Sequence, residues 1–85
     1  MTKVLTMYIG ETISVVASFG VPYKIRPVRF RWSGKIREVK DITYTWMTKE
    51  GQDSIYHFSV TDGNALYELS FHGTSLLWRL ENIEA

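Results

Sequence analysis

The chain predicts an all-β fold, an antiparallel meander of six or seven short strands curled into a small, partly open SH3-like barrel. Two observations carry that expectation. Gly10, Gly20, Gly34, Gly51, Gly63 and Gly73 recur at intervals that suit short strands joined by turns. Between them apolar and polar residues alternate, and no segment of comparable length shows the three-and-four apolar spacing of a helix.

Eighty-five residues make one domain, read as residues 1–85, and a domain this small depends on large side chains for its core. Three Trp, five Tyr and four Phe supply them. The absence of cysteine excludes a disulfide framework and a thiolate metal site, so packing must hold the fold and a reducing, cytoplasmic setting is expected. Glu11 interrupts the apolar start and no small-residue cleavage site follows, so that start is not read as a signal peptide. No uninterrupted apolar run is long enough for a membrane span. The net charge of +1 hides an asymmetry: residues 24–40 carry seven basic and one acidic side chain, and residues 41–85 carry two basic and seven acidic.

Lys3 to Ile9 reads as an additional strand or as a segment that pairs with a partner. Ile13, Val15, Ala17 and Phe19 alternate with Ser14 and Ser18 as a strand ending at Gly20-Val21-Pro22, and Pro22 and Pro27 mark strand ends or edges. Val28, Phe30 and Trp32 alternate with Arg29 and Arg31, and Ser33-Gly34 turns the chain. A two-residue loop there places Trp32 opposite Lys35, Arg31 opposite Ile36, Phe30 opposite Arg37 and Arg29 opposite Glu38. After Val39 the apolar phase changes to Ile42, Tyr44 and Trp46, which calls for a bulge or bend near Lys40 and Asp41. Asp62-Gly63, set as a two-residue loop, pairs Val60 with Ala65, Phe58 with Tyr67, Tyr56 with Leu69 and His57 with Glu68. Leu76, Trp78 and Leu80 form a closing strand, and Glu81 to Ala85 reads as a loosely held tail.

Chemistry is sparse. His57 beside Glu68 resembles an oriented imidazole, but a solvent-facing ion pair is the simpler account. His72 has no second ligand near it in sequence, no glycine-rich phosphate loop is present, and neither metal nor cofactor is expected. Trp32, Trp46, Tyr56, Phe58, Tyr67 and Trp78 read as core rather than as a ligand pocket. The basic stretch Lys24, Arg26, Arg29, Arg31, Lys35 and Arg37, preceded by Tyr23, is the candidate contact surface. A protein partner or a second copy is the leading reading, and nucleic-acid binding the alternative.

The run Pro27-Val28-Arg29-Phe30-Arg31-Trp32-Ser33-Gly34-Lys35, with Val39, Trp46, Tyr56, Val60, Gly63, Tyr67-Glu68-Leu69 and Trp78-Arg79-Leu80, resembles a family of short uncharacterised bacterial domains. The resemblance covers about Ile13 to Leu80. It implies a nucleic-acid-related accessory role, because some members are joined to or encoded near DNA-repair polymerase-like proteins. It implies no catalytic residues. Arg37 stands where the family pattern has an aromatic, and Lys3 to Ile9 is extra.

Overall fold

A computed structural model describes residues 5–22 and 24–85. Among them the chain forms seven strands: β1 Thr6–Phe19, β2 Ile25–Trp32, β3 Lys35–Glu38, β4 Asp41–Glu50, β5 Asp53–Thr61, β6 Leu66–His72 and β7 Leu77–Glu84. All pairings are antiparallel, in one sheet ordered β3-β2-β1-β7-β6-β5-β4. The all-β expectation therefore holds. The sheet curls without closing into a barrel, because its two outer strands, β3 and β4, are consecutive in the chain yet not paired with each other.

Alternation explains the curl. A sheet with no second layer buries one face by folding over it, and the inward residues here are large and apolar. Phe30, Phe58, Val60, Tyr67, Leu69, Phe71, Trp78, Leu80 and Ile83 form the core. Phe30 on β2 meets Tyr67 on β6 edge to face, ring centres 5.1 Å apart, so opposite parts of the sheet touch across the interior. Bulges supply the bends. One lies between Tyr8 and Glu11 of β1, where Gly10 adopts φ 66° and its carbonyl accepts a 2.8 Å hydrogen bond from Arg79 Nη2. Gly10 is thus a bend within a single strand rather than a turn, and Thr6 to Ile9 belongs to β1, which pairs first with β7 and then with β2. Lys3 and Val4 lie outside the described residues.

The basic hairpin has the predicted register throughout: Arg29 opposite Glu38, Phe30 opposite Arg37, Arg31 opposite Ile36 and Trp32 opposite Lys35. Ser33 and Gly34 both have positive φ, 54° and 74°, as a tight two-residue hairpin turn requires. The second hairpin departs from expectation by two residues. Val60 pairs with Tyr67, Phe58 with Leu69 and Tyr56 with Phe71, and His57 lies opposite Ser70. Its loop runs from Asp62 to Ala65 because Asp62 Oδ1 accepts the N–H groups of Asn64 and Ala65, at 2.9 and 3.0 Å. A shift of two keeps every side chain on its predicted face.

Two further expectations are corrected at the end of the chain. Leu76 sits in the turn before β7 with φ 61° and is exposed. Glu81 to Glu84 is no loose tail: it completes β7, paired with β1 on one side and β6 on the other, and Ile83 joins the core. Truncating Ile83 to alanine is expected to cost about 2–5 kcal/mol of stability. Ile36→Ala, on the exposed face of β3, is expected to stay within about 0.5 kcal/mol. Denaturant midpoints of the two variants measure the contrast.

Candidate functional site

The sequence-predicted basic residues divide three ways. Arg26, Arg29 and Arg31 share the outer face of β2, opposite Ser18, Val16 and Ser14 of β1. Even- and odd-numbered arginines share a face because the register shifts at Val28, between the pairs Val16–Arg29 and Ala17–Pro27. Without that bulge Arg26 would face the interior, where Pro27 is buried instead. Lys35 is exposed at the hairpin tip, and Lys24 leads into β2. Tyr23 lies outside the described residues.

Arg37 is on the other side of the sheet. Its guanidinium carbon lies 5.2 Å from the Trp32 ring centre and 5.8 Å from that of Tyr67, and Nη1 donates to the Tyr67 hydroxyl at 3.4 Å. Its Nε is buried without a partner among the described residues. The cation therefore caps the core, and it is not available to the outer strip. Trp46 makes the reverse exchange. A register shift between Ile42 and Tyr44 turns Ile42 inward opposite Val60 and leaves Tyr44 and Trp46 outward, so Trp46 is not part of the core.

The outer face around Arg29 and Arg31 is a shallow cavity of about 360 Å³, lined also by Ser14, Val16, Phe30 and Ile36. Arg29 Nη1 lies 3.9 Å from Glu38 Oε1, both side chains largely in solvent, a weak pair. Among the described residues no acid pairs with Arg31, and the aliphatic Val16 and Ile36 are half exposed beside it. No aromatic ring lies among the residues that line this face except the buried Phe30.

The histidines belong to a different surface. On the outward side of β4 to β7, His57 stacks on Trp46 with ring centres 4.9 Å apart and planes 6° apart. Its Nε2 is 2.7 Å from Thr48 Oγ1, its Nδ1 is 3.3 Å from Glu68 Oε2, and Asn82 Nδ2 donates to Glu68 Oε1 at 2.9 Å. His57 and Glu68 are neighbours as expected, but diagonal ones, and half-buried rather than solvent-facing. Beside them Ser70 Oγ is 3.3 Å from His72 Nε2, and His72 Nδ1 is 3.9 Å from Asp53 Oδ2. That is the order of a nucleophilic triad. It cannot act as one, because Ser70 is 0% exposed and already donates its proton to Glu81 Oε2 at 2.6 Å. Among the described residues no three His, Asp or Glu side chains converge in a way that could hold a metal ion.

A third feature escaped sequence reasoning. Where β4 splays from the start of β2, two adjoining clefts of about 480 and 440 Å³ open along the seam of the sheet. They share Ile25, Thr45 and Phe58. One adds Arg26 and Asp41 to Tyr44, and the other adds Pro22, Lys24, Trp46, Met47, Tyr56 and His57. Between β3 and β4 the chain is held by Val39, whose N–H bonds Val28 O on β2, and Lys40, whose N–H bonds Thr61 O on β5.

The cap over the core has a pH signature. Burial alone would raise the Asp62 carboxyl, but the N–H groups of Asn64 and Ala65 and the Tyr67 hydroxyl outweigh it and hold its pKa below the ordinary 3.8. Burial, and then the bond to Asp62, push the Tyr67 phenol above its ordinary 10.0. A lowered acid adds stability that is present above its unfolded pKa and lost as pH falls through the folded value. Thermal unfolding should therefore lose an increment below about pH 4, and Asp62→Asn should remove that part of the acid dependence while leaving the neutral-pH fold intact. Comparison of the chain with protein-family models, curated proteins and solved structures finds no match in any of the three.

Proposed function

We propose that this chain is a non-enzymatic interaction module that recognises an acidic surface of a partner protein through the outer face of β1, β2 and β3. The observation that supports the reading is the arginine pair Arg29 and Arg31, set on one face beside half-exposed Val16 and Ile36. Guanidinium groups with aliphatic flanks suit a carboxylate-bearing protein surface, since each arginine offers a bidentate fork over an apolar stem. Arg26 extends the strip on the same face, and Lys24 and Lys35 extend it beyond the two ends of β2.

The nucleic-acid reading remains the alternative, and the same basic strip favours it. Single-strand binders pair such strips with exposed rings on which bases stack. Here Phe30 points inward and Trp32 packs against the core, its indole N–H donating to Glu11 Oε2 at 3.2 Å. That arrangement ranks a protein partner first.

Selection of peptides against the protein, with an Arg29→Glu/Arg31→Glu variant as counter-selection, tests the proposal beside titration of labelled single- and double-stranded DNA. Peptides mixing Asp or Glu with aliphatic residues should be enriched on the parent chain and lost on the variant. DNA should bind weakly at low salt. Tight DNA binding with a log–log salt slope near about −3, as roughly four neutralised phosphates would give, overturns the protein-partner reading.

A further inference from the structure

The outer face of β4 to β7 carries a hollow that is separate from both the basic strip and the seam. Tyr44, Ser59, Glu68 and Asn82 stand directly opposite one another across four neighbouring strands, and so form one row on one face of the sheet. Ser59 is the smallest of the four, and the space it leaves belongs to a cavity of about 200 Å³ whose lining also includes Trp46 and Glu84.

The two walls of this hollow differ in chemistry. On the β4 side Tyr44, Trp46 and His57 follow one another as a row of rings, with centres 5.5 and 4.9 Å apart. Tyr44 is 66% exposed, so ring surface is left for a ligand. On the β6 and β7 side stand the carboxylates of Glu68 and Glu84, and no lysine or arginine is among the lining residues. Glu68 is held in place, because Oε2 lies 3.3 Å from His57 Nδ1 and Oε1 accepts from Asn82 Nδ2 at 2.9 Å. Glu84 has no ion pair among the described residues.

We propose that the hollow binds a methylated ammonium group, the head of a choline-like molecule or of a trimethylated lysine. Ring faces and carboxylates both attract a cation. Which cation follows from the acceptors on offer. Among the described residues no three His, Asp or Glu side chains converge as a metal ion would need. A primary ammonium or a guanidinium brings several N–H donors that require acceptors once out of water, yet both oxygens of Glu68 already face His57 and Asn82. A methylated ammonium brings no such donors, and ring surface beside a fixed carboxylate serves its charge. At about 200 Å³ the hollow is smaller than the roughly 300–1,000 Å³ of sites for whole drug-sized ligands, and suits a head group whose remainder stays outside.

Titration of the whole chain with tetramethylammonium chloride, read by amide and indole NMR shifts, tests this against ammonium chloride at equal ionic strength. Shifts should saturate at Trp46, Ser59 and Glu68, and ammonium should bind about tenfold more weakly. Tyr44→Ala and Glu84→Gln should each weaken binding about threefold or more, with circular dichroism confirming that both variants fold. Glu38→Gln, which removes a carboxylate from β3, should leave binding unchanged. Two further arms identify the source of the group. Tighter binding of choline than of tetramethylammonium assigns the site to a small molecule, and tighter binding of a trimethyllysine peptide than of free trimethyllysine assigns it to a modified protein. Shifts that stay linear in concentration, equal binding of ammonium, or parent-like affinity in either the Tyr44 or the Glu84 variant overturn the proposal.

Discussion

A single sheet has no second layer to lean on, so the contact between Phe30 and Tyr67 across the interior is the constraint from which the rest of this molecule follows. To bring β2 over β6 the sheet must bend within its strands, and it does so where extra residues enter β1, β2, β4 and β7. Each insertion turns subsequent side chains to the other face. The bends that bury the aromatics therefore also decide which polar groups are displayed. The insertion at Val28 gathers Arg26, Arg29 and Arg31 on one side, and the one at Thr43 sends Tyr44 and Trp46 outward while Ile42 stays in.

The legible parts of the fold were those where turn chemistry and alternation agree over a few residues. The Ser33-Gly34 hairpin is the clearest case, because two positive-φ residues leave only one way to pair the flanking strands. Asp62-Gly63 carries an equally strong local signal and misleads by two residues. Its aspartate can also accept two backbone N–H groups further on, and the longer loop that results lets Tyr67 reach the Asp62 carboxylate at 2.9 Å. Only the folded arrangement brings that tyrosine within reach, so nothing local announces the choice.

The exchange of Arg37 and Trp46 shows why the candidate surface was only partly readable. A charge among apolar residues normally marks the wet face of a strand, and a tryptophan the dry one. Arg37 is exempt because its cation lies over the Trp32 and Tyr67 rings, which offsets part of the cost of burying it. Trp46 is exempt because a bulge next to it inverts the alternation and His57 offers a flat ring to lie on. Sheet edges are likewise invisible to periodicity, since exposure of the backbone at β4 depends on which strand ends up at the margin.

The pairing of β1 with β7 bears on how the molecule assembles. Every other neighbour in the sheet is also a neighbour in sequence, reached through a turn of a few residues. Arg79 and Gly10, by contrast, are 69 residues apart, and joining them closes nearly the whole chain into a ring. The entropy of that closure grows only slowly with length, yet it falls almost entirely on this one junction. Within β1–β3 and within β4–β7 every pairing is between sequence neighbours, and the pairing of β1 with β7 is the one that joins these two meanders into a single sheet.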